Sequence, residues 1–130
     1  MTAIKGLAEI VLAVHDMAAS LAFYRDLLGL TLISPPDKPG PRFLQAGPEQ
    51  IGIPQMIVLV PLPAHSAAFV PPRTLHHLAF TVAPEDFDVF QAHLEENGHT
   101  TRGGQHPILA SRTLYTDDPD GNEVEFICTA

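Results

Sequence analysis

The sequence predicts an α+β fold built from two βαβββ modules in tandem. Two strand-like runs, AEIVLAV at 8–14 and HHLAFTV at 76–82, each precede a stretch with helical spacing. Each of those stretches is followed by three short extended segments set apart by breakers. The two halves also superpose as a repeat. With Glu9 over His77, Ile10 falls over Leu78, Leu12 over Phe80 and Val14 over Val82, and Gly29 and Gly98 agree to within one residue.

In the first module, Ile10, Leu12 and Val14 occupy one face of the opening strand, and Glu9, Val11 and Ala13 the other. Asp16 is the expected helix N-cap. In MAASLAFYRDLLG, Met17, Leu21, Tyr24, Leu27 and Leu28 fall along one stripe, which makes Tyr24 a core residue, and Gly29 is the stop. LTLIS, PRFLQAG and QMIVLVPL are the three extended segments. Pro35, Pro36, Pro39, Gly40 and Pro41 rule against a helix between the first two. Residues 61–75, PLPAHSAAFVPPRTL, read as a Pro/Ala-rich linker.

The order then repeats. HHLAFTV is a strand, and PEDFDVFQAHLEENG is a helix carrying Phe87, Phe90 and Leu94. HTTRG, SRTLYTD and NEVEFICT are the closing strands. Asp118-Pro119-Asp120-Gly121 is a turn signal between the last two, so these acidic residues are read as turn builders rather than as a Ca²⁺ site.

Composition bounds the function. A chain of 130 residues suits one domain with a core of its own. The formal charge is −8 and the seven Lys and Arg are scattered, which argues against nucleic acid as a partner. The single cysteine, Cys128, has no intramolecular partner and is expected in the core. The opening MTAIKGLAEIVLAV lacks secretory-signal features, and no apolar run reaches membrane-spanning length. A cytoplasmic protein without a membrane partner is expected.

The repeat gives His77 and Glu9 the same strand position, on the face away from the helix. If Val124 and Phe126 pack on the second helix, Glu125 points the same way as His77. Glu9, His77 and Glu125 are then expected on one concave face. One imidazole and two carboxylates suit a divalent ion such as Mn²⁺, Fe²⁺, Ni²⁺ or Zn²⁺ and leave positions for water or substrate. His76 alternates to the opposite face and is read as structural or as a support behind the ligands. Tyr115 and Arg112, on the penultimate strand beside Glu125, are candidate substrate contacts.

VHDMAASLAFYRDLLGL in the first half, and HHLAFTV with DDPDGNEVEFI in the second, resemble the vicinal-oxygen-chelate superfamily. That group includes glyoxalase I, bleomycin-resistance proteins, extradiol dioxygenases and fosfomycin-resistance transferases. The resemblance runs over essentially the whole chain. It implies a single glyoxalase-like domain over 1–130, with modules of about 6–60 and 75–130 whose mixed sheets cup around a metal-holding cleft. By resemblance, the ligand seven residues before Asp16 is Glu9, the one opening the second module is His77, and the carboxylate after DPDGN is Glu125. Glu9 replaces the family's usual His, and Val58 stands where glyoxalase I has a fourth ligand.

The resemblance therefore implies a divalent-metal-dependent lyase, isomerase or dioxygenase. Its small substrate would be chelated through vicinal oxygens, with Glu9 and Glu125 as catalytic carboxylates. Thiol transfer of the fosfomycin type ranks lower, because TTRGGQHPILAS lacks the basic residues of that branch. The alternative is a non-catalytic drug- or metabolite-binding protein of the bleomycin-resistance type, which the missing ligand at Val58 favours. A homodimer is implied as well.

Overall fold

The structure, a computed structural model, describes residues 3–35 and 37–130. Met1 and Thr2 of the opening stretch, and Pro36 among the breakers, lie outside the described residues. The chain forms two compact units, Met1–Ala68 and Phe69–Ala130.

The first unit holds strands β1 (Glu9–Val14), β2 (Thr31–Leu32), β3 (Arg42–Gln50) and β4 (Ile53–Pro61) in one sheet of order β1-β4-β3-β2. β1 runs parallel to β4, and the other pairs are antiparallel. Alternation sorts β1 as expected: Leu12 and Val14 are buried, while Glu9, Val11 and Ala13 are exposed. The opposite face of β1 continues into Val58, which pairs with Val11 and is buried.

Helix α1 (Met17–Leu21) starts where predicted, with the Asp16 carboxylate accepting from the Ala19 N–H at 3.1 Å. It then widens into a π-helical turn over Ala22–Leu27, marked by the Leu28 N–H donating to the Phe23 carbonyl at 2.9 Å. The wider turn shifts the phase, so the predicted stripe is corrected. Ser20, Phe23 and Tyr24 are the buried residues, while Met17, Leu21, Leu27 and Leu28 are only partly covered. Tyr24 is fully buried, as expected of a core residue.

LTLIS shrinks to two strand residues, whereas the second and third segments grow into a hairpin. Gln50 pairs with Ile53 across a two-residue loop in which Ile51 and Gly52 both have positive φ, 51° and 79°. That is the conformation of the primed hairpin turn, whose twist matches its flanking strands.

The second unit repeats the plan with β5 (His77–Thr81), β6 (Arg102–Gly104), β7 (Ser111–Asp117) and β8 (Glu123–Thr129), in the order β5-β8-β7-β6. Helix α2 (Phe87–Glu96) follows a 3₁₀ turn at Pro84–Asp86. Phe126 joins helix to sheet: its ring stacks on Phe80 at 6.0 Å and meets Phe90 edge-on at 4.7 Å. Leu78, Phe87, Leu94, Leu114 and Val124 complete this core, and Cys128 is buried as expected. Each such burial contributes about 1.5–3 kcal/mol for a large side chain. The β7–β8 turn is built by Asp118, which accepts from the Asp120 and Asn122 N–H groups at 2.9 and 2.8 Å. Among the described residues no helix is long and apolar enough to cross a membrane.

Candidate metal centre

β8 alternates strictly. Val124 and Phe126 take the helix side, so Glu125 emerges on the other face, yet it remains buried at 3 % exposure. β5 runs parallel to β8 with His77 opposite Glu123 and Ala79 opposite Glu125. The His77 imidazole reaches diagonally past Ala79 and places Nε2 3.1 Å from Glu125 Oε1. The second carboxylate oxygen, Oε2, is buried without a hydrogen-bond partner among the described residues. A buried carboxylate oxygen left unpaired is costly, and its lone pairs are open to a ligand.

Tyr115 stands opposite Glu125 on β7, with its ring 6.0 Å from that of His77. Burial raises its phenol above the ordinary value, and the Glu125 carboxylate raises it further. Sequence reasoning missed Thr113 on this face. It is buried, pairs with Ile127, and its hydroxyl has no partner among the described residues. The signal was available, because Thr113 is two residues from Tyr115 on the same strand.

Two expectations are corrected. Arg112 does not lie beside Glu125. It pairs with Cys128, on the opposite side of β7 from Tyr115, donates to Asp88 at 2.6 Å and sits 4.3 Å over the Phe87 ring. Its position odd by one along the strand sends it to the helix side. His76 does not follow strand alternation either. It precedes β5, is exposed, and brings Nδ1 within 2.8 Å of His77 Nδ1.

Glu9 belongs to the first unit, where it opens β1 opposite Met56 and is exposed. Among the described residues, no group of three or more His, Cys, Asp and Glu is gathered to hold a metal ion. The pair that is gathered fits a divalent ion in donor chemistry. It offers an imidazole nitrogen, a carboxylate oxygen facing it, and a further buried carboxylate oxygen with unused lone pairs.

The family model for the Glyoxalase/Bleomycin resistance protein/Dioxygenase superfamily matches residues 6–126. The chain belongs to this superfamily. This superfamily member is similar to glutathione transferase FosA of Serratia marcescens, 32% identical over 94% of this chain and 79% of that protein. It is also similar to metallothiol transferase FosB of Staphylococcus epidermidis, 27% identical over 94% of this chain and 82% of that protein. Among solved structures, a glyoxalase/dioxygenase from Nostoc punctiforme matches with a TM-score of 0.75 at 25% identity, over 97% of this chain and 92% of that one. The two-module fold read from the sequence is thus the superfamily's fold.

Proposed function

We propose that this superfamily member is a divalent-metal-dependent enzyme acting on a small substrate that presents adjacent oxygens. The observation that carries the reading is the buried, unpartnered Oε2 of Glu125 beside the His77–Glu125 contact. His77 Nε2 and Glu125 would hold the ion. Mn²⁺, Fe²⁺, Ni²⁺ and Zn²⁺ all suit this mixed set. When bound, the ion supplies a Lewis acid that stabilises negative charge developing on a substrate oxygen.

The chain's own residues account for the rest. Glu125 sets a buried carboxylate beside the His77 imidazole. Its neighbour Tyr115 keeps its proton well above neutral pH, and its hydroxyl interacts with the Glu125 carboxylate and so braces it. Glu9, exposed at the start of β1, is the further carboxylate proposed for the chemistry.

Among reaction types, similarity to a glutathione transferase and a metallothiol transferase supports group transfer to a thiol. This moves thiol transfer ahead of the lyase, isomerase and dioxygenase chemistries that the sequence ranked above it. The reading treats both units as one functional domain working as a cytoplasmic homodimer. Light scattering on purified protein tests the dimer.

Elemental mass spectrometry of the purified protein beside a Glu125→Ala variant tests the metal. Near-stoichiometric transition metal, lost in the variant, is expected. Consumption of glutathione with electrophiles carrying adjacent oxygens then tests the reaction. Val58, apolar where a fourth ligand would stand, favours a second reading as a metal-free binding protein. Absence of bound ion even after incubation with all four metals selects that reading.

A further inference from the structure

The chain that leads into β5 is clasped to the turn that leads into β8. Arg73, half-buried, stands four residues before His77 in the stretch read as a linker. Its guanidinium donates to the Asp120 carbonyl at 2.8 Å and to Asn122 Oδ1 at 3.2 Å. Asn122 in turn donates from Nδ2 to Asp118 Oδ2 at 2.9 Å. One amide thus joins Arg73 to the carboxylate that builds the turn. Gly121 leaves room for the clasp, because a Cβ there would meet Arg73 Nη2 at 3.1 Å. The guanidinium also donates to the Phe69 carbonyl at 3.4 Å and lies 5.4 Å from the centre of the Phe69 ring.

Such an anchor matters because β5 has no hairpin to set its register on β8. The two strands run parallel and lie far apart in sequence. A slip by one residue would turn His77 to the other face. Beyond the far end of the pairing, the Val82 N–H donates to the Ile127 carbonyl at 2.9 Å. At the near end His77 stands opposite Glu123, the residue after Asn122. We propose that Arg73 is a positioning residue: by holding the β7–β8 turn it fixes where β5 begins on β8, and so sets His77 against Glu125. The importance of that contact for function rests on the ion-binding reading above. Arginine suits the task, since its planar fork serves several acceptors at once, whereas lysine keeps the charge without the fork.

The test compares wild type, Arg73→Ala and Arg73→Lys in ion-free protein. Amide hydrogen exchange follows each strand. NMR cross-relaxation follows the His77 ring against that of Tyr115, 6.0 Å away. Arg73→Ala is expected to speed exchange in β5 by about 10-fold while β7 is unchanged, and to weaken the ring signal. Arg73→Lys should fall between the two. Where alanine prevents folding, the lysine variant is judged by the same two measurements. Unchanged β5 exchange or an unchanged ring signal overturns the proposal, as does equal acceleration in β7. Zn²⁺ calorimetry separates it from the ion-binding reading. Arg73→Ala should bind more weakly than wild type. Equal binding by both proteins overturns the role of Arg73 and leaves the metal site intact. No binding by wild type overturns the metal reading, and the ion-free measurements still decide the clasp.

Discussion

His77 and Glu125 meet on the diagonal: their strands pair with Ala79 opposite Glu125, yet His77 Nε2 lies 3.1 Å from Glu125 Oε1. The small side chain of Ala79 leaves the diagonal open. The contact brings a buried carboxylate and an imidazole together where β5 begins beside β8. Such a group costs stability unless an ion or ligand uses it.

Glu125→Leu should therefore separate stability from binding. In ion-free protein, the substitution removes an unpaired buried oxygen but also the partner of His77, so unfolding stability is expected to change by less than about 3 kcal/mol. The same variant should retain no transition metal. Urea unfolding and elemental analysis on one sample check both. A loss of stability beyond about 3 kcal/mol in Glu125→Leu would show that the carboxylate is structural.

Tyr115 gives a pH-dependent readout. Burial and the Glu125 charge both disfavour its phenolate, so the folded value is raised above the ordinary one. Its contribution to stability is present below the ordinary phenol value and fades as pH rises through the folded value. In Glu125→Gln the electrostatic part is lost, and the Tyr115 titration should move down while staying above the ordinary value. Phenolate absorbance in a Tyr24→Phe background follows this one group.

Arg112→Ala should leave ion affinity unchanged. The side chain is engaged with Asp88 and Phe87 on the helix side of β7. A small fall in melting temperature is expected, shrinking at high salt, because exposed ion pairs are weak and screened. A large loss of ion binding in this variant would place Arg112 at the site after all.

Ile51→Asn should stabilise the protein by about 1 kcal/mol, since a β-branched residue is costly in the left-handed region and Asn is tolerated there. Ile51 has φ 51° and is 81 % exposed, so little burial is lost. Thermal unfolding measures the gain.

The helix start at Asp16, the turn at Asp118 and the extent of β7 were legible because each depends on neighbouring residues. The π turn after Leu21 was not, because nothing in AFYRDL distinguishes it from an α-helix until Phe23 and Tyr24 are packed. The hairpin at Ile51 was missed because its turn lacks the usual Asn or Asp before Gly52.

The sequence by itself determined the repeated βαβββ order, the faces of the strands and the candidacy of His77 and Glu125. Hydrophobic period and turn chemistry are local, and a repeated pattern states them twice. Alternation along SRTLYTD already put Arg112 on the face away from Tyr115, and the structure added its partner Asp88. Only the tertiary structure decided that β8 lies beside β5, that Glu125 is buried with an oxygen unpaired, and that His76 turns to His77. Those outcomes follow from strand register and from side chains brought together across long stretches of chain, which no local pattern encodes.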